Sequence, residues 1–229
     1  MSEKIVITGS SSGIGAACVA YFLAKGHSQI YGLDTNPQPP VTDNPNYTHI
    51  SCDISQATQL PDLDQVSVLI NNAGQQTPSE KYRGGDLATN LVGTILCTEK
   101  YGLQPSIKAI VNLASVSAHN GAEFGEYTAS KGGVLAYTKW TAKEIAQYGA
   151  VCNSLSFGGV ITELNQPVMD DTDLWAQIMA ETPLKKWVTA EEAAQWVYFM
   201  AIINRSCTAQ DIIVDNGEFY NHNFIWEND

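Results

Sequence analysis

Tyr127 and Lys131 stand four residues apart in Tyr127-Thr128-Ala129-Ser130-Lys131, so a helix would place them on one face. A free phenol titrates near pH 10 and is a poor base at neutral pH. An ammonium one turn away favours the phenolate. Tyr127 would then take the proton of an alcohol, or return one to a carbonyl oxygen. Ser115 ends the run Ile110-Val111-Asn112-Leu113 and would offer its hydroxyl to the same oxygen, with Ser117 as local competitor. The plain alternative for Tyr127 and Lys131 is an exposed helix pair. Thr128, Ala129, Ser130, Gly132 and Gly133 argue instead for close packing against something.

The hydride in such chemistry belongs to a cofactor, and the N-terminus offers a place to hold one. Ile5-Val6-Ile7 runs into Thr8-Gly9-Ser10-Ser11-Ser12-Gly13-Ile14-Gly15 and then Ala16-Ala17-Cys18-Val19, a G-x-x-x-G-x-G spacing. Gly9 permits a tight turn, Gly13 lets backbone approach a pyrophosphate, and Gly15 lets the new helix pack on the strand. A glycine-rich loop alone is a weak signal, but this one lies directly between a strand and a helix. The second strand, Ile30-Tyr31-Gly32-Leu33, ends in Asp34. A carboxylate there accepts hydrogen bonds from the adenosine ribose and repels a 2′-phosphate. No Arg or Lys occurs in the glycine loop or just after Asp34, so the expected cofactor is NAD(H) rather than NADP(H). The competing reading of Asp34 is a loop-starting turn residue.

Short β-branched runs that would position these groups fall at 4–8, 29–33, 66–70, 109–113, 151–156 and 211–214. Helix-like stretches lie near 14–25, 84–100, 126–148, 172–180 and 190–202. Apolar strands alternating with helices predict an α/β fold, a Rossmann-type doubly wound parallel sheet flanked by helices. Residues 1–229 are expected to form a single domain, because the alternation continues through the loop Asn36-Pro37-Gln38-Pro39-Pro40. The polar, proline-punctuated stretch 161–187 is expected to cover a ligand crevice.

The formal charge of −12 over 229 residues disfavours nucleic acid and anionic membrane surfaces as partners. A dinucleotide stays admissible, because backbone N–H groups and a helix dipole bind pyrophosphate without lysine or arginine. Five scattered cysteines without a CxxC, and four dispersed histidines, predict neither disulfides nor a metal site. No signal peptide or membrane-spanning run is legible, so a reduced cytoplasmic protein is expected.

The chain resembles the classical short-chain dehydrogenase/reductase family over about residues 4–217. Besides the glycine loop, Ser115 and Y-x-x-x-K, the resemblance rests on Cys52-Asp53-Ile54, Asn71-Asn72-Ala73-Gly74, Thr89-Asn90 and Asp215-Asn216-Gly217. It implies catalytic roles for Asn90, Ser115, Tyr127 and Lys131, with Asn90 holding a water that links Lys131 to solvent. It further implies cofactor contacts from Gly9, Ser11, Ser12, Gly13, Ile14, Gly15, Asp34, Asp53, Ile54, Asn72, Ala73 and Gly74. Lys131 and Tyr127 would lie at the nicotinamide ribose, with the Val160 backbone and Thr162 at its carboxamide. Phe157-Gly158 stands where the family usually has Pro-Gly. The run from Asp53 to Asn71 is short, so its helix is expected to be short or absent. The resemblance implies a homo-oligomer, dimer or tetramer, built on the helices near 84–100 and 126–148.

Candidate substrate-pocket residues are Gln75, His119, Glu123, Phe124, Phe157, Leu164, Trp175 and Met179. Few basic groups and an apolar cover point to a neutral secondary alcohol or ketone. Two other readings stand beside the NAD(H)-linked dehydrogenase. One is an NADPH-dependent 3-oxoacyl reductase, opposed by Asp34. The other is a non-catalytic NAD(H)-sensing protein, opposed by the presence of all four catalytic residues.

Overall fold

Apolar runs with little polar alternation place seven strands in one parallel sheet, buried on both faces. The structure, a computed structural model, describes residues 3–40, 43–77, 84–122 and 124–221. The first four strands are Lys4–Thr8 (β1), Ile30–Asp34 (β2), Tyr47–Ser51 (β3) and Val66–Asn71 (β4). Ala109–Ser115 (β5) and Val151–Phe157 (β6) follow. A two-residue pair lies outside this sheet, Val160–Ile161 (β7) with Val188–Thr189 (β8), and Asp211–Val214 (β9) closes the main sheet. The order is β3-β2-β1-β4-β5-β6-β9, every neighbour parallel. The chain winds outward from β1 to β3 and then crosses back to β4. That reversal opens a crevice at the carboxyl ends of β1 and β4.

Alternate residues of one strand feed opposite layers. Ile5 and Ile7 of β1, with Val68 and Ile70 of β4, pack into one core against Gly13–Ala24 (α1) and Ala190–Tyr198 (α7). Val6 and Leu69 pack into the other, with Cys97, Tyr101 and Ile145. Those three come from two helices. The first, α2, is a continuous run of Leu87–Gly93, Thr94–Cys97 and Thr98–Gly102, π-wound in its first and last parts. The second, beyond the single turn Ser117–Asn120 (α3), is Gly125–Ile145 (α4). Between β6 and α7 lie Gln166–Asp170 (α5) and Thr172–Glu181 (α6) in the predicted covering segment.

A buried polar ladder fixes α2 and α4 on the sheet. Asn71 Nδ2 donates to Thr98 Oγ1 (3.1 Å) and to Asn112 Oδ1 (2.8 Å), and Asn112 Nδ2 donates to Thr138 Oγ1 (2.9 Å). Each bond is buried, where an unpaired amide would be costly. The predicted strands are all present, with β2 shifted one residue later. β3 was not anticipated. The stretch between Asp53 and β4 holds one 3₁₀ turn, Ala57–Gln59, as its shortness predicted. Among the described residues no helix is long and apolar enough to cross a membrane.

Candidate active site

The glycine loop is built by close approach. Gly9 has φ +66°, and a Cβ on it would stand 2.7 Å from Ala73 Cα. A Cβ on Gly15 would stand 1.9 Å from the Gly9 carbonyl oxygen, so α1 begins only because that Cβ is missing. The Asn72 side chain donates to the carbonyls of Thr8 and Gly9, both at 2.9 Å. Thr8 Oγ1 accepts from the N–H groups of Asn72 (3.0 Å) and Ala73 (2.9 Å). The loop after β1 and the turn after β4 therefore form one body.

This body is one wall of a crevice of about 510 Å³. Gly9, Ser12, Gly13 and Ile14 line it from the loop, and Asn72, Ala73 and Gly74 from the turn. Asp34, Asp53, Ile54 and Thr162 line it as well. Asp34 is held by two backbone donors, Ser11 N–H to Oδ2 and Asn36 N–H to Oδ1, each at 2.9 Å. No lysine or arginine is among the described residues lining this crevice. Leu33, Thr35, Cys52, Thr89 and Glu163 also line it, though sequence reasoning assigned them no contact.

A hydrogen-bonded chain behind Asp34 was likewise missed. Tyr47 Oη meets Ser10 Oγ (3.1 Å) and His49 Nδ1 (3.0 Å), and His49 Nε2 meets the Asn36 carbonyl (2.8 Å). A carbonyl only accepts, so His49 carries its proton on Nε2. The alternation Tyr47-Thr48-His49-Ile50-Ser51 is the one sequence signal that points to this edge strand.

At the other end of the site, β5 delivers Ser115 and α4 delivers Tyr127 and Lys131. Ser115 Oγ accepts from Ser117 twice, from its N–H (3.2 Å) and its hydroxyl (3.0 Å). With both lone pairs engaged, the Ser115 proton is left to donate elsewhere. Ser117, the competitor in the sequence, is thus the support of Ser115. Lys131 Nζ donates to the Leu113 carbonyl (2.8 Å) and lies 5.7 Å from the Tyr127 ring centre. Burial pushes the Lys131 pKa down to about 8, and the Asp86 carboxylate works against that fall.

Asn90 is buried in the π-wound start of α2, a helical irregularity common at functional sites. Its amide accepts from the Gln75 N–H (2.8 Å) and donates to the Gln75 carbonyl (2.9 Å) and Ser130 Oγ (3.0 Å). Asn90 Oδ1 and Lys131 Nζ both approach Gly74, 3.2 and 3.4 Å from where a Cβ would sit. Asn90 and Lys131 therefore meet at Gly74, which lines the crevice. Thr162 touches the glycine loop, its Cγ2 lying 3.4 Å from the point a Gly13 Cβ would occupy. The Val160 carbonyl accepts from Asn165 Nδ2 at 2.8 Å.

The substrate-pocket candidates scatter. Gln75 and Leu164 line the crevice. His119 turns away from it, with Nε2 at 2.9 Å from Asp211 Oδ2 and 3.2 Å from Ser156 Oγ. Phe157 is buried in the hydrophobic cluster that also holds Leu155 and Val160. Trp175 stacks edge-on against Trp187, ring centres 5.0 Å apart, and ties α6 to the body. Met179 is partly buried on α6, and Phe124 is the residue before α4. Glu123 lies outside the described residues.

A family model described as enoyl-(acyl carrier protein) reductase matches residues 9–218. The chain is 28% identical to the 3-oxoacyl-(acyl-carrier-protein) reductase FabG of Chlamydia pneumoniae, over 96% of this chain and 98% of that one. It is 30% identical to 2-(R)-hydroxypropyl-CoM dehydrogenase of Xanthobacter autotrophicus, over 88% of this chain and 92% of that one. Its fold matches a 4-hydroxyisoleucine dehydrogenase mutant complexed with NADH and succinate at a TM-score of 0.87. That pair is 28% identical, with 96% of this chain and all of that one covered. The chain belongs to the short-chain dehydrogenase/reductase family, a family of oxidoreductases.

Proposed function

We propose that this protein moves a hydride between NAD(H) and a secondary alcohol or ketone, with Tyr127 as general acid and base. The residues present suit a dinucleotide. The glycine loop leaves a cradle that side chains would fill, and the buried Ser11 Oγ beside Asp34 has no protein partner. When bound, the nicotinamide supplies the hydride chemistry. Gly9, Ser11, Ser12, Gly13, Ile14 and Gly15 would hold the phosphates, while Asp34, Asp53 and Ile54 would hold the adenosine. Asn72, Ala73, Gly74, Val160 and Thr162 would line the nicotinamide half.

Ser115, its lone pairs filled by Ser117, donates to the substrate oxygen and fixes its position. Tyr127 exchanges the proton with that oxygen. Lys131, as an ammonium ion, favours the Tyr127 phenolate and binds the nicotinamide ribose. Asn90 holds the path by which Lys131 reaches solvent.

The observation that carries the choice of NAD is the fixed Asp34 carboxylate on a crevice wall whose described residues include no cation. A 2′-phosphate there would meet a negative charge without compensation, which costs about tenfold or more in affinity. Likeness to a 3-oxoacyl reductase favours a second reading, NADPH-linked reduction of a 3-oxoacyl group. Titration with NADH and NADPH, followed by cofactor fluorescence and repeated on Asp34→Ala, separates the two. The expected result is tighter NADH binding, with the preference relaxed in the variant. Equal or tighter NADPH binding by the wild type would put the 3-oxoacyl reductase first.

A further inference from the structure

Asp86 belongs to none of the motifs, yet it is only 1% exposed. A carboxylate so buried requires partners. Thr77 supplies two, its N–H to Oδ2 at 3.2 Å and its hydroxyl to Oδ1 at 2.8 Å. Both donors are neutral, so the negative charge itself is still to be balanced. Asp86 stands one helical turn before Asn90, and Asn90 shares the space above Gly74 with the Lys131 ammonium.

Glu126 fastens this region to the catalytic turn of α4. Its carboxylate accepts from the N–H groups of Gly84 (2.8 Å), Asp86 (3.0 Å) and Leu87 (3.2 Å). The residue before Tyr127 thus caps the start of the helix that carries Asn90, where N–H groups lack intrahelical partners. Lys131 is 5% exposed. Beside it β5 brings the Leu113 carbonyl and α4 brings the Tyr127 ring, while Asp86 lies one turn before Asn90, the residue that meets Lys131 at Gly74. Asp86 is the charged group that acts on it among the described residues.

We propose that Asp86 is a positioning residue that acts through Lys131, as the buried countercharge that keeps this lysine an ammonium ion. The Asp86–Thr77 bonds hold the segment after Gly74, and the Asp86 charge holds the Lys131 proton. The proposal rests on the catalytic reading of Lys131 for its meaning, but not for its measurement.

The test is a pH titration of the full chain labelled with [ε-13C]lysine, with the Lys131 signal assigned by Lys131→Arg. In the wild type Lys131 should titrate near 8. Asp86→Asn removes the charge, with its Oδ1 accepting the Thr77 N–H and its Nδ2 donating to the Thr77 hydroxyl, and should weaken proton binding at Lys131 about tenfold. Thr77→Val keeps the charge and removes a tether, and should leave the midpoint at the wild-type value. An unchanged midpoint in Asp86→Asn, or an equal shift in Thr77→Val, overturns the proposal. Should Asp86→Asn fail to fold, the wild-type Asp86 carboxyl 13C signal must inflect at the Lys131 midpoint, and a flat signal there overturns it. A wild type without dehydrogenase activity would sink the proposed function while leaving this titration intact.

Discussion

Burying an ammonium ion against a carbonyl and a phenol ring sets stability against chemistry at one residue. Burial holds the Lys131 pKa at about 8 in the folded protein. An unfolded lysine titrates near 10.4. The native value is the lower one, so the unfolded chain binds more protons between these pH values, and stability rises with pH through that window. Lys131→Met carries no such titration. Its stability relative to the wild type should be greatest below pH 8 and fall towards pH 10.5, by on the order of 1–3 kcal/mol. Urea unfolding of both proteins at pH 7 and pH 10 measures this, and a constant difference would contradict it. Lys131 and Tyr127 were legible in the sequence because their spacing is local. The supports of the site were not. Glu126 reaches Gly84, and Asn90 reaches Ser130, across spans no local pattern encodes.

At the scale of elements, what the sequence revealed was apolar periodicity. β5 and β6 are buried at every position and were plain as apolar runs. β3 escaped because it is an edge strand carrying Thr48, His49 and Ser51, preceded by a proline-rich loop. The π-wound parts of α2 escaped because hydrogen-bond register leaves no mark in residue types. The start of α7 shows a local rule at work. Thr189 Oγ1 accepts from the Glu192 N–H (3.1 Å), and the Glu192 carboxylate accepts from the Thr189 N–H (2.9 Å). This capping box follows directly on β8, whose Val188 pairs with Val160, the residue proposed beside the nicotinamide carboxamide. Thr189→Ala should cost about 1 kcal/mol and lower Tm by roughly 2–4 °C. A scanning-calorimetry shift within error of zero would show that β8 and the body hold α7 without the cap.

Across the whole molecule, the glycine loop, the turn after β4 and the Tyr127–Lys131 turn of α4 come from distant parts of the chain. One parallel sheet brings them to the same edge. The crevice at the β1–β4 reversal follows from strand order, and the charge at its far wall follows from Asp34. The segment 161–187 was legible as a polar insertion, and its internal contact of Trp175 on Trp187 was not. The central claim is that this fold joins a bound nicotinamide to a proton exchanged at Tyr127. It is tested most directly by following absorbance at 340 nm while wild type and Tyr127→Phe meet NAD and a panel of secondary alcohols. The account predicts NADH formation with at least one alcohol in the wild type. In Tyr127→Phe it predicts a 10²–10⁴-fold loss of kcat/KM, the usual yield of a positioned acid–base group. A wild type that binds NADH yet turns over nothing, or a Tyr127→Phe variant of full activity, would contradict it.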